Sequence, residues 1–137
     1  MTARKSIPDD VPPALSAHQA VALLQRQATR ADEVAGLQFN DPRIEAWTNS
    51  TLNILTQTFG QPRGEMHRNT RDFAYAQSGV GLRVNMSDGE IQADHEGKTR
   101  VRQQLLRAYI EQIEDLAPPA TSTRYGSGYR FTRRLNA

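Results

Sequence analysis

The chain contains no cysteine among its 137 residues. That excludes a disulfide scaffold, a thiolate zinc site, an iron–sulfur cluster and a cysteine nucleophile, and it leans toward the cytosol without fixing the compartment. No apolar run approaches the roughly 20 residues needed to cross a bilayer. The basic start Met1-Thr2-Ala3-Arg4-Lys5 leads into Ser6-Ile7-Pro8-Asp9-Asp10, acidic and proline-containing where a signal peptide would be apolar. The expectation is a soluble cytoplasmic protein with no membrane partner. Neither sign of charge is in large excess, Lys+Arg 17 against Asp+Glu 15, so the net +2 does not demand a nucleic-acid partner. Neither a GxxxxGK phosphate loop nor a GxGxxG after a strand occurs, so both common ways of aiming backbone N–H groups at phosphates are missing. Tyr125-Gly126-Ser127-Gly128-Tyr129 has close glycines but no strand before it or helix after it.

Chemistry-bearing residues are few and scattered. The histidines are His18, His67 and His95; Asp94-His95-Glu96 are consecutive, so on a helix they point in different directions and cannot share one ion. Ser87, Asp88 and His95 supply the residue types of a hydrolytic triad, but none lies in a nucleophile-elbow sequence. The sequence therefore nominates no catalytic residue, no metal ligand and no cofactor, and it reads as a non-enzyme.

What the sequence does have is helical punctuation. Pro8, Pro12 and Pro13 make residues 1–15 a flexible or extended lead-in. Ser16-Ala17-His18-Gln19 is a capping-box pattern, in which the Ser hydroxyl and the Gln side chain each satisfy a free backbone N–H. Ala20, Leu23, Leu24, Ala28, Ala31, Val34 and Leu37 then recur at three- and four-residue steps, which predicts a helix over about 17–36 with one apolar stripe. Asn40-Asp41-Pro42 starts a second helix, because Asp41 accepts from free N–H groups and Pro42 lacks the N–H that would be orphaned. Ile44, Trp47, Thr51, Ile54, Leu55 and Phe59 keep the helical period until Gly60 and Pro62 stop it. Residues 64–77 support a short helix beginning near Asn69 or Thr70.

Residues 78–94 carry two readings. Val80, Leu82, Val84 and Met86 alternate as a half-buried strand would, and Ser87-Asp88-Gly89-Glu90 is able to turn the chain into Ile91 and Ala93 to complete a hairpin. Ser87 and Glu90 also form a capping box, after which Ile91, His95, Lys98, Arg102, Leu105, Tyr109, Ile113 and Leu116 trace one long face, with Val101, Leu106 and Ile110 beside it. The helix is the preferred reading. Gly97 costs it about 1 kcal/mol relative to alanine, and Pro118-Pro119 end it. The fold class is then all-α: an antiparallel bundle of three long helices plus one short helix over residues 16–117, with an α+β fold containing a hairpin near 79–93 as the alternative.

Function has to be sought in surfaces. Trp47 on a regular helix is a core anchor or an exposed hot spot, and its spacing from Ile44 and Thr51 favours the core. A helix over residues 87–116 spans about 45 Å at 1.5 Å per residue, longer than a domain of this size needs for its own core. Part of its stripe is expected to bury against another copy or another protein. Trp47, His95, Arg102, Tyr109 and Ile113 are the interaction candidates. Residues 118–137 form a basic Gly/aromatic tail or linker in which Arg124, Arg130, Arg133 and Arg134 meet no Asp or Glu, leaving 13 basic against 15 acidic residues elsewhere. Their alternation with Tyr125, Tyr129 and Phe131 is the composition that binds single-stranded nucleic acid by stacking and phosphate contact.

The order of features also carries a resemblance. A helix, then FNDPRIEAWTNSTLNILTQTFG in the form D-P-x-apolar-x-x-W with a downstream aromatic-Gly, then a Phe and a long helix ending LLRAYIEQIEDL, is similar to a helical region at the N-terminal side of some bacterial defence effectors of the predicted nucleotide-binding, TIR-like type. The matching positions are Asp41, Pro42, Ile44, Trp47, Leu55, Phe59, Gly60, Phe73 and the run from Leu105 to Leu116, all structural rather than chemical. The resemblance implies a region that accompanies a separate catalytic domain, placed after the Pro118-Pro119 linker or supplied in trans, and that serves sensing, self-association or partner contact. No catalytic residue carries over. The combined expectation is a non-enzymatic helical interaction or regulatory module, self-associating or docking to an effector in anti-phage defence. A small nucleic-acid-binding protein using the C-terminal tail is the alternative.

Overall fold

The computed structural model describes residues 9–79 and 85–117. These residues form α1 (Ala17–Ala35), α2 (Pro42–Phe59), a 3-10 turn (Pro62–Gly64), α3 (Arg68–Ala74) and α4 (Asp88–Leu116), and no strand. The architecture is all-α with three long helices and one short one. α4 begins at Asp88, so Ile91 and Ala93 are helical and the hairpin that needed them as strand does not form; Val80, Leu82 and Val84 lie outside the described residues.

Each helix starts where a side chain satisfies otherwise orphaned N–H groups. The Ser16 hydroxyl accepts from the Gln19 amide at 3.1 Å, and Gln19 Oε1 accepts from the Ser16 amide at 3.0 Å. Ser87 and Glu90 repeat the box at 3.2 and 2.9 Å. Asp41 accepts from the Arg43 amide at 2.9 Å with Pro42 beginning α2. α3 is capped by His67, whose Nδ1 accepts from the Asn69 amide at 3.0 Å.

α1 packs against both α4 and α2, while α3 bridges α2 and α4. Its buried face is Ala20, Leu24, Gln27, Ala28, Ala31, Val34 and Ala35, so mostly small side chains set how closely its neighbours approach. Gln27 is 2% exposed. Its Nε2 donates to Thr51 Oγ1 at 2.7 Å, Thr51 Oγ1 donates to the Trp47 carbonyl at 2.7 Å, and Trp47 Nε1 donates to the Gln27 carbonyl at 3.1 Å. On the α4 side, Gln103 Nε2 donates to the Ala28 carbonyl at 2.8 Å and to Asp32 Oδ1 at 3.0 Å. The inward line of α4 is Thr99, Gln103, Leu106, Tyr109 and Ile110. Tyr109 of the face that the apolar spacing favours is buried, as are Leu106 and Ile110 beside it, whereas Ile91, His95, Lys98, Arg102, Leu105 and Ile113 are half-buried and Leu116 is exposed. Thr99 and Gln103 tolerate the core because both are hydrogen-bonded there.

Two glycines have specific duties. A Cβ on Gly97 would stand 3.1 Å from Ser78 Cβ, so the residue that weakens α4 is the one that lets the α3–α4 connection cross it closely; Ser78 Oγ also donates to Asp94. Gly60 ends α2 at φ 74 and ψ −166, a region essentially reserved for glycine. There the chain meets residues 9–15, which run extended beside the end of α2: Val11 and Gln61 exchange backbone hydrogen bonds at 3.0 and 2.8 Å, and the Ala14 amide donates to the Gln57 carbonyl at 2.8 Å. A Cβ on Gly60 would lie 2.3 Å from the Val11 carbonyl oxygen. Gly60→Ala is therefore expected to destabilise the protein by about 1–3 kcal/mol in urea denaturation. Gly36→Ala is the control, since Gly36 has φ −83 and its added Cβ meets only the Glu33 carbonyl at 3.5 Å.

Candidate interaction surface

Four of the five helical candidates are fasteners within the fold. Trp47 is 6% exposed, with its ring 5.8 Å from that of Phe73. Tyr109 is buried; its hydroxyl donates to the Asn69 carbonyl at 2.7 Å and its ring meets Phe59 edge-on at 5.7 Å. Burial, with Asp72 nearby, pushes its pKa up to about 12. Arg102 lies over the Phe73 ring at 5.1 Å and closes the end of α3, donating from Nε to the Phe73 carbonyl and from Nη2 to the Ala74 carbonyl, both at 2.9 Å. Burial draws its pKa down. His95 is half-buried on α4, with Nε2 3.0 Å from the Val34 carbonyl of α1, so that nitrogen carries the hydrogen. These side chains join helices to one another and do not meet at a common exposed patch.

Ile113 is the exception. It is half-buried, packs against the core and lines a groove of about 350 Å³ at the end of the bundle where α1 begins and α2 and α4 finish. Leu15, Ser16, Ala17 and Ala20 form one wall, Thr58 and Phe59 the second, and Ile113, Leu116 and Ala117 the third. The groove exists because α1 opens on alanines at 17 and 20 opposite the larger α4 side chains, while Phe59 is engaged elsewhere, stacked on His67 at 4.8 Å. Leu116 remains 80% exposed. Glu111, Glu114 and Asp115 crowd the last two turns of α4 with no basic residue in the final turn, and no ion pair among the described residues engages them. Carboxylates at a helix C-terminus add to the negative end of its dipole, so among the described residues this end of the bundle is acidic.

A second groove, of about 320 Å³, lies between α1 and α2, where Arg30, Glu33, Arg43 and Ser50 surround the edge of Trp47. Its charge is internally compensated: Arg43 binds Asp41 at 2.8 and 3.1 Å, which holds the Asp41 carboxyl down at about 2, and reaches to within 4.0 Å of Glu33. Among the described residues no three His, Asp or Glu side chains converge as metal ligands, and no helix is long and apolar enough to cross a membrane. The tail candidates Arg124, Tyr125, Tyr129, Arg130, Phe131, Arg133 and Arg134 lie outside the described residues.

Sequence reasoning missed Leu15, Ala17 and Ala20 as groove residues, assigning them to the lead-in, the capping box and the core stripe respectively. The available signal was that Leu105, Tyr109, Ile113 and Leu116 carry an apolar face to the last residue of α4. Comparison with protein-family models, with curated proteins and with solved structures returned no match.

The wall beside the groove contains a titratable element. His67 caps α3 only while neutral, because a proton on Nδ1 would face the Asn69 N–H. Burial first, then Arg68 and Arg71, lowers its pKa below the ordinary 6.5. The stabilisation is full above the unfolded-state pKa and is lost as pH falls through the lowered folded-state value. Urea midpoints are expected to decline as the pH falls below the ordinary histidine value of 6.5, and to decline less in His67→Asn, which keeps a capping side chain without the titration.

Proposed function

We propose that this chain is a non-enzymatic helical interaction module that receives a protein segment in the groove between the start of α1 and the end of α4. The observation that carries the reading is the coincidence, at one end of the bundle, of an open apolar groove, an exposed Leu116 and three carboxylates that no ion pair among the described residues engages. Such a surface fits a segment with one apolar anchor flanked by basic residues, the anchor supplying buried area and the charges steering encounter. The resemblance to helical regions of bacterial defence effectors supports the same accessory role by analogy, and a cytoplasmic setting accords with a chain free of cysteine.

Panning a peptide display library against the purified full chain tests the proposal. Peptides with an apolar residue flanked by Lys or Arg are expected to enrich, and the enrichment is expected to vanish in Leu116→Asp combined with Ala17→Glu. Leu116 is exposed and Ala17 half-buried in the first turn of α1, where Glu suits the helix, and thermal unfolding serves as the control for folding. No enrichment, or enrichment indifferent to the two substitutions, overturns the proposal. Salt-sensitive binding of a single-stranded oligonucleotide that disappears in Arg130→Ala/Arg133→Ala/Arg134→Ala, without any peptide enrichment, puts the nucleic-acid reading in its place.

A further inference from the structure

We infer that docking in this groove is gated by a proton on His67: the neutral ring holds the Phe59 wall in place, and protonation releases that wall and weakens binding. The gate rests on reading the groove as a docking surface and adds how that surface is regulated.

A closed circuit of contacts joins His67 to the groove. Phe59 lines the groove from the end of α2. Its ring is clamped from two sides, stacked on the His67 imidazole at 4.8 Å with the planes 17° apart and edge-on to Tyr109 at 5.7 Å. Both clamping rings are tied to one residue of α3. The Asn69 amide donates to His67 Nδ1 at 3.0 Å, and the Asn69 carbonyl accepts from the Tyr109 hydroxyl at 2.7 Å. Within this circuit only the bond at His67 Nδ1 depends on a lone pair that a proton removes in the mildly acidic range. Once Nδ1 carries a hydrogen, two donors face each other, so the ring has to turn or withdraw, and Phe59 loses its flat partner.

The groups around the ring set which state is the resting one. The charged residues of α2, Arg43 and Glu45, lie in its first turn, remote from Phe59 in its last. From α4 the circuit receives the Tyr109 phenol, which stays protonated up to about 12, and Gln112, whose Oε1 accepts from the Asn69 side chain at 2.9 Å. On α3 itself Arg68 and Arg71 act on the ring and both favour its neutral form, while Asp72 acts on Tyr109 instead. Arg63 and Glu65 of the preceding turn are exposed. The neutral, capping ring is therefore the resting state above the ordinary histidine value of 6.5.

α3 is lightly held at the end beside the groove. It has seven residues, and Thr70 Oγ1 is buried with no hydrogen-bond partner among the described residues. Its fastening by Arg102 lies at the opposite end, on the Phe73 and Ala74 carbonyls. Loss of the cap thus loosens the turn next to Phe59 first.

The test is an NMR titration of isotope-enriched full chain from about pH 7.5 to about pH 5. It uses a His18→Gln background, because His18 stands in the first turn of α1 beside Ala17; His95, on the Val34 carbonyl, is at the other end of α1. The Phe59 ring and Thr58 amide signals are expected to move with the His67 imidazole at one midpoint, and to stay still in His67→Asn. A Trp47 indole signal that persists across the range shows that the bundle stays folded. A display-selected peptide is expected to bind several-fold more weakly at the acid end, to lose much less in His67→Asn, and by linkage to lower the His67 midpoint when bound. Phe59 signals indifferent to the His67 titration, or an equal loss of affinity in His67→Asn, overturn the gate and leave the docking reading standing. Failure of any peptide to bind at about pH 7.5 overturns the docking reading itself, and the gate with it.

Discussion

The side-chain amide of Gln27, buried between α1 and α2, is the constraint on which the rest of the bundle depends. It donates to Thr51 Oγ1 at 2.7 Å, and the Gln27 backbone carbonyl receives the indole N–H of Trp47 at 3.1 Å. A slip of α2 along α1 by one helical turn, about 5.4 Å, would leave that amide buried and unpaired at a cost of about 1–3 kcal/mol. Gln103 repeats the device on the other flank through the Ala28 carbonyl. An alanine-rich face has few ridges to set register by shape, so buried amides that reach only one set of partners do it instead. With both flanks fixed, the first turn of α1 is held at a set distance from the last turn of α4, and the groove follows from that spacing.

Local punctuation was readable because its chemistry is local. Ser16, Asp41 and Ser87 satisfy helix starts within three residues, and Gly60 announces the end of α2 by a conformation that other residues avoid. The facing of α4 was not readable in the same way. Hydrophobic spacing favours the Ile91–Leu116 line, whereas the protein buries Thr99 and Gln103, whose partners lie on residues 28 and 32 of another helix or one turn back. Gly97 looked like a defect until Ser78, distant in sequence by nearly twenty positions, was seen to cross it.

The candidate site shows a related ambiguity. Tryptophan, tyrosine and arginine are the residues that dominate interfaces, and they are also the residues that fasten a small core whose polar ends need partners. Trp47, Tyr109 and Arg102 all have such partners inside the fold, on the Gln27, Asn69 and Phe73 carbonyls. Only Ile113 sits where the packing stops short. The rest of the groove is lined by alanines, two leucines, Ser16, Thr58 and Phe59, drawn from three separate segments, so no spacing within one of them flags it. The described bundle is thus closed by specific polar contacts along its length and left apolar and acidic at one end.

The most direct measurement is a double-mutant cycle on Gln27 and Thr51, read by urea denaturation. If their contact sets the α1–α2 register, Thr51→Val alone orphans the Gln27 amide and is expected to cost about 1–3 kcal/mol, while the same change in a Gln27→Leu background, where nothing is left unpaired, costs little. An equal cost in both backgrounds would contradict the central role given to this buried pair.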